Sequence, residues 1–331
     1  MGKNSGRKAK QIQLDVSWGH KPPAAAVAPE AHLRLRHPAV SPAHPIVDTH
    51  THLALTFEAY CRKYPAGEFK TAFEFVRGLY VPAGVEAMVD VWCEAPVRRL
   101  WREFADAALT EAGRRDVWGG VEYWFVMGVH PHNASQYTDK IEADIIEAMA
   151  HPRCVGWGEC GLDYHYDTSP RPVQREVFVR QLRCAVRLGK PLTIHSREAD
   201  ADTERILKEE VPKDHRIHIH CFTNAPAFAQ RLLDWFPNLY IGVTGAAHRD
   251  APYMVPSTIY SSASANSVRG TTSAANSGTA TAKLPLSHCG MLPWTAAFIA
   301  GLLPRGAGIE PWDAARVLKV GRENARGMYG V

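Results

Sequence analysis

Ile46-Val47-Asp48-Thr49-His50-Thr51-His52 is the stretch on which the fold turns: a short β-rich run, Ile46 to His50, that leads straight into a His-x-His pair. Residues i and i+2 of a strand share a face, so His50 and His52 point the same way and form a chelating unit if that face is interior. Six further β-rich runs follow, Val85 to Cys93, Tyr123 to Val129, Cys154 to Gly158, Pro191 to His195, Arg216 to Cys221 and Leu239 to Thr244. Amphipathic stretches lie between them. Gln174 to Leu188, for example, sets Phe178, Leu182, Ala185 and Val186 near helical spacing before a Gly189 stop. Strand runs that alternate with helical patterns give repeated βα units and a parallel α/β sheet, which a closed (β/α)8 barrel and an open doubly wound sheet satisfy equally.

The placement of histidines and acids says what such a sheet would do. His50 and His52 end the first run, Glu159 the fourth, His195 the fifth, and His218 and His220 the sixth. Functional side chains of parallel α/β folds gather at the C-terminal ends of the strands, so these four ends converge on one place. A lone strand-end histidine is ordinarily core or surface. Several buried ionisable groups without a shared purpose would each carry a desolvation cost or need a partner of their own, and a metal cluster answers all of them together. Imidazole and carboxylate suit Zn2+, Mn2+ or Mg2+ without choosing among them. Two divalent ions bridged by a carboxylate would activate a water and clamp both oxygens of an in-line displacement.

The motifs Asp48-Thr-His-Thr-His52, Gly128-Val-His-Pro-His132, Gly158-Glu-Cys-Gly-Leu-Asp-Tyr164, Ile194-His-Ser-Arg197, His220-Cys-Phe222 and Asp250-Ala-Pro-Tyr253, followed by Arg322-Glu-Asn-Ala-Arg326 and Tyr329-Gly330, occur in this order. The set resembles the TatD family of metal-dependent deoxyribonucleases over residues 46–331. That resemblance implies a TIM-type (β/α)8 barrel and a DNase that cleaves phosphodiester bonds with a metal-activated water. It further implies two divalent metal ions: His50 and His52 on one, His195 and His220 on the other, Glu159 bridging them. Asp250 would complete the first site and orient or deprotonate the water, which makes Asp250 and Glu159 the catalytic pair. His130 and His132 would contact the scissile phosphate, and Asp163 and Arg197 would shape the rim. His218 matches no motif and is read as core; Cys160 and Cys221, beside ligands but facing away, are read as packing thiols. Fungal members look closest, and some are named for binding an anaphase-promoting-complex subunit, which adds a protein partner to the expectations.

Composition sets the frame. Of 331 residues, 46% are hydrophobic and 22% charged, enough apolar material for a large core, which excludes disordered, collagenous and coiled-coil classes. Lys and Arg total 38 against 34 Asp and Glu, a net charge of +4. Seven basic residues and two acidic ones fall in the Ala/Pro-rich tract 1–45, so this tract, read as a disordered tail, owns the excess and leaves the remainder near neutral. On a neutral body the metals supply the positive charge at the phosphate, and single strands or strand ends are the expected DNA substrate rather than gripped duplex. The seven cysteines, 61, 93, 154, 160, 184, 221 and 289, never form Cys-x-x-Cys, so neither a disulfide framework nor a cysteine-rich zinc site is signalled. No secretory leader or membrane span is legible, and a cytoplasmic or nuclear compartment is expected.

One departure stands out. Only Ala246, Ala247, His248 and Arg249 separate Gly245 from Asp250, where the family has a helix and an eighth strand ending Glu-Thr-Asp. Four residues span about 13 to 14 Å at full extension, too short for a parallel crossover and a new strand. The barrel is therefore expected to be incomplete at the crossover from strand 7 to strand 8, either in the protein or through an excision in the gene sequence that sequencing the transcript would reveal. Residues 257–283, filled with Ser, Thr, Ala, Asn and Gly, are read as a low-complexity loop. Two rivals remain at this point: hydrolysis of small amide or ester substrates on the same barrel, and a catalytically silent binding scaffold.

Overall fold

In a computed structural model of the chain, the described residues are 29–34, 45–244, 259–261, 286–303 and 311–331. Eight strands lie parallel in chain order: β1 (Ile46–Thr51), β2 (Val85–Trp92), β3 (Glu122–Met127), β4 (Cys154–Asp163), β5 (Leu192–Arg197), β6 (Ile217–Ile219), β7 (Leu239–Val243) and β8 (Ile259–Ser261). The helices are α1 (Leu53–Lys63), α2 (Ala72–Phe75), α3 (Val81–Ala83), α4 (Leu100–Asp106), α5 (Glu111–Asp116), α6 (Asp139–Met149), α7 (Arg171–Arg187), α8 (Asp200–Glu210), α9 (Pro226–Trp235), α10 (Leu292–Leu302) and α11 (Ala314–Tyr329). This is the (β/α)8-type barrel, with helices following strands around the outside. Among the described residues no helix is long and apolar enough to cross a membrane.

The alternation of β2 makes the two layers. Ala87, Val89, Val91 and Cys93 join Val47 and Val126 in a cluster inside the barrel, whereas Met88 belongs to the larger core between strands and helices with Phe125, Trp157, Ile194 and Phe178. Helix α11 closes the end of the barrel where the strands begin. Asp313 caps it by accepting from the Arg316 N–H at 2.7 Å, Gly330 ends it at φ 78°, and its Ala325, Met328 and Tyr329 enter the inner cluster. The Tyr329 hydroxyl meets Thr193 Oγ1 at 2.7 Å and His218 Nδ1 at 2.8 Å, which fixes His218 in the floor of the barrel.

Two interruptions of the ladders fall where the sequence places ligands. The β1–β2 register shifts between Asp48 and Thr51, and the β4–β5 register shifts between Gly158 and Cys160. Val47 faces inward, so unbroken alternation would send His50 to the outside; the shift changes the phase and turns it toward the barrel axis. Around Glu159 the backbones run unusually close. A Cβ on Gly161, at φ 147°, would sit 1.9 Å from the His195 carbonyl oxygen, and one on Gly158 would sit 2.4 Å from that of Thr193.

The incomplete closure takes a different form from the one expected. Ile259–Ser261 pairs with β7 in the register Ile241↔Ile259, Gly242↔Tyr260 and Val243↔Ser261, inside the tract read as loop. Ile and Tyr suit a strand, and the chain from 244 to 258 gives the dozen or more positions that a parallel return needs when the strand starts at Ile259 rather than at Asp250. Three residues make a short eighth strand, and no ladder joins β8 to β1 among the described residues. The basic tract also holds an ordered piece. Glu30–Arg34 forms a 3-10 turn whose Leu33 is 1% exposed, with the Leu33 carbonyl 2.9 Å from His288 Nε2 and Glu30 paired with the Tyr60 hydroxyl. One buried leucine and these polar anchors offset the entropy of ordering, which composition averaged over 45 residues conceals. Residues 1–28 and 35–44, most of 257–283, His248, Arg249 and Asp250 lie outside the described residues.

The Tyr329 network gives a direct test of the floor. Tyr329→Phe removes two buried hydrogen bonds and is expected to destabilise the chain by about 1–3 kcal/mol. The measurement is the urea midpoint at unchanged m-value, and an unmoved midpoint would mean that α11 is not held there by the hydroxyl.

Candidate metal centre

Five imidazoles surround one carboxylate. Glu159, on β4, is 2% exposed. Its Oε2 lies 3.2 Å from His50 Nε2 and 3.6 Å from His52 Nε2, and its Oε1 lies 3.3 Å from His130 Nε2, 2.9 Å from His195 Nδ1 and 2.5 Å from His220 Nε2. The ring nitrogens also meet one another: His50 Nε2 and His52 Nε2 at 3.3 Å, His195 Nδ1 and His220 Nε2 at 3.1 Å. His50 and His220 stack with centroids 3.9 Å apart. The histidines thus fall into two sets, one on each oxygen.

Each position has a structural cause. His50 is the penultimate residue of β1, and His52 stands at the N-terminus of α1, whose first N–H, from Leu53, is accepted by Asp90 Oδ1 at 2.8 Å. His130 starts the 3-10 turn Pro131–Gln136, and its Nδ1 accepts from the His132 N–H at 3.1 Å. Gln181 on α7 holds the approach to that turn, accepting from the Val129 N–H and donating to the Val129 carbonyl. His195 lies on β5 and His220 just beyond β6.

Burial and charge set the protonation. Burial, then neighbouring His220, holds the His50 imidazole well below its ordinary range; burial lowers His220 as well and brings His130 to about 4. Burial alone would raise Glu159, but His220 and His130 reverse it and hold its carboxyl well below the usual carboxylate range. His195 goes the other way. Burial opposes its charge, yet Asp163 and Glu159 on its two nitrogens raise it to about 9, so without an ion His195 takes the proton.

These residues fit divalent cations. One N–H···N hydrogen bond could bridge each pair of ring nitrogens 3.1 or 3.3 Å apart but would leave the Glu159 charge unbalanced, whereas cations answer the imidazole lone pairs and the carboxylate together. His50, His130 and His220 are neutral at pH 7, as ligands must be. Among the described residues, three donor groups come close enough to hold an ion: His50, Glu159 and His220; His52, Cys93 and Glu159; His130, Glu159 and His195. The outer nitrogen of His195 has its carboxylate partner, Asp163 Oδ2 at 3.1 Å, the arrangement that orients a metal-binding histidine.

The sequence-derived site residues therefore divide. His50, His52, Glu159, His195 and His220 come together. Asp250 lies outside the described residues. His130 touches Glu159 itself and so belongs to the centre, while His132 stands one step out, with Nε2 3.0 Å from Asp163 Oδ2. Asp163 is not a rim residue: it is 1% exposed and accepts from His132, His195 and the His165 and Tyr166 N–H groups, held by Gln174. Arg197 stands at the edge over the Tyr166 ring, 4.8 Å from its centroid. Cys160 is buried toward the Thr193 carbonyl, and Cys221 meets Thr244 Oγ1 at 3.1 Å. Cys93 is the residue that sequence reasoning passed over: its Sγ is 3.9 Å from Glu159 Oε2. The signal was its place at the end of a strand run, the same place the histidines occupy.

Comparison with known proteins agrees with this geometry. Residues 47–258 match the family described as TatD related DNase. The chain is 38% identical to the human 3'-5' RNA nuclease TATDN2 over 199 residues, 60% of this chain and 24% of that protein. It is 39% identical to the Bacillus subtilis uncharacterized metal-dependent hydrolase YabD over 127 residues, 38% of this chain and 49% of that protein. Against the Escherichia coli 3'-5' ssDNA/RNA exonuclease TatD it is 38% identical over 122 residues, 37% and 46% of the two chains. The matched stretch thus spans from about a quarter to about half the length of these relatives. A TatD-family hydrolase from Entamoeba histolytica superposes with a TM-score of 0.66 at 14% identity, over 87% of this chain and 99% of that one, which shows the shared fold. The chain belongs to the family of TatD-related DNases.

Proposed function

We propose that the protein is a two-metal phosphodiesterase that cleaves single-stranded nucleic acid, DNA foremost, at or near strand ends. The observation that carries this reading is the division of the Glu159 oxygens, Oε2 to His50 and His52, Oε1 to His130, His195 and His220. His50 and His52 would hold one divalent ion and His195 and His220 the other, with Glu159 shared and Asp250 completing the first site. Nuclease names on the human and bacterial relatives, including a single-strand exonuclease, support the substrate class. With no disulfide recorded for any of the seven cysteines, a reducing compartment, cytoplasm or nucleus, suits the chain.

When bound, the ions supply Lewis acidity and a nucleophilic water near neutral pH. The chain's own residues do the rest. Glu159 stays ionised across the working pH range and fixes the spacing of the two histidine sets. His130, neutral at pH 7, and His132, steadied by Asp163, present imidazoles on the open side where a phosphate would dock. Asp250 would accept the proton of the attacking water.

Two outcomes test this. Glu159→Gln removes the shared charge, and kcat/KM on 3′-ended single-stranded oligonucleotides is expected to fall by about 10³-fold or more, the scale on which loss of a group that stabilises transition-state charge acts. Closed circular duplex cleaved as fast as single strands, or turnover that survives chelation, would sink the proposal. The second concerns pH. His195 holds a proton up to about pH 9 in the metal-free chain and must release it to bind an ion, so metal affinity is expected to rise with pH below that value. One released proton corresponds to about tenfold per pH unit between pH 6 and 8, read by competition with a chromophoric chelator. A flat profile would mean that His195 carries no proton in the empty centre.

A further inference from the structure

We infer that Cys93 is a ligand of the ion held by His50 and His52, making that half of the centre a mixed thiolate, imidazole and carboxylate site selective for a soft, borderline cation such as Zn2+. The inference rests on the metal-centre reading above and adds the class of metal to it.

Three observations carry it. Cys93 directly follows β2 and continues the inward alternation of Ala87, Val89 and Val91, so its side chain joins the inner cluster at the strand end where the other candidate ligands lie. Its Sγ lies 3.9 Å from Glu159 Oε2, the oxygen that His50 and His52 share, and Sγ, a ring nitrogen of His52 and a Glu159 oxygen lie within 4.8 Å of one another. The strand end is also held in place: the Cys93 carbonyl accepts from the His130 N–H at 2.9 Å and the Trp92 carbonyl from the Gly128 N–H at 3.0 Å, so the thiol is presented from a fixed backbone.

The chemistry separates this thiol from the other cysteines near the site. Cys160 is turned to the layer behind β4, and Cys221 is engaged with Thr244. A thiol left as a weak donor to a carboxylate would contribute little; as a ligand it bonds zinc at about 2.3 Å and adds a third donor beside His52 and Glu159. On coordination the S–H bond breaks, the proton leaves to solvent and the sulfur lone pair forms the metal–sulfur bond, with no change of oxidation state. Imidazole and carboxylate alone do not choose among Zn2+, Mn2+ and Mg2+. A thiolate does, because hard Mg2+ and Mn2+ bind sulfur poorly.

The test uses the full chain stripped of metal and reloaded with Co2+ alone, read by absorption. Visible ligand-field bands together with a near-ultraviolet thiolate-to-cobalt charge-transfer band are expected. Cys93→Ser should lose the charge-transfer band and keep the ligand-field bands, whereas Cys221→Ser should keep both. Cys93→Ser should also weaken Zn2+ by at least the roughly ten- to hundredfold that loss of an outer partner costs, with Mn2+ affinity little changed. Cys93→Ala serves as a second variant, and circular dichroism checks the fold of each. Ligand-field bands without a charge-transfer band in the unaltered chain, or a charge-transfer band that persists in both Cys93 variants, would overturn Cys93 as a ligand and leave the metal centre standing. No ligand-field bands at all would overturn the metal-centre reading itself.

Discussion

A single buried carboxylate governs the centre of this molecule. Glu159 is ionised in a place where burial alone would neutralise it, and the charge is tolerated because five imidazoles at the ends of β1, β3, β5 and β6 turn toward its two oxygens. The converse holds as well. Without that charge the ring nitrogens 3.1 and 3.3 Å apart would have nothing to share but one another. Carboxylate and imidazoles are mutually dependent, and cations are the species that satisfy both.

The barrel is arranged to make that convergence geometrically available. Two of its register breaks fall around the candidate ligands His50 and Glu159, and glycines at 158 and 161 let β4 lie against β5 more closely than any side chain would allow. The opposite end is closed by α11, whose Tyr329 fastens Thr193 and His218 beneath the ligands. Asp163 connects the centre to its surroundings, holding His195 on one side and His132 on the other, so the residues that would meet substrate and those that would hold metal share one rigid carboxylate. This is a positioning role, deeper than the rim that motif order alone suggests.

Much of this is legible in the sequence, and the parts that are not have physical reasons. Strand runs and their terminal histidines mark the barrel and the cluster around Glu159 because period-two burial and strand-end placement leave a direct trace in residue type. That His130 reaches Glu159 itself was not legible, since it depends on how the turn after β3 folds back. Cys93 was overlooked because a thiol among apolar strand residues looks like packing. The three-residue β8 hid in a low-complexity tract where only Ile259 and Tyr260 carry strand character, and the turn at Glu30–Arg34 hid in a basic tail whose average composition says nothing of one buried leucine.

The shared carboxylate makes a quantitative demand on metal content. Native mass spectrometry of the intact chain, stripped and reloaded with a single divalent metal, counts the ions directly. Two ions per chain are expected, with Glu159→Gln losing at least one while the fold persists. A single ion in the unaltered chain, or two ions retained by a folded Glu159→Gln variant, would contradict a centre built on Glu159.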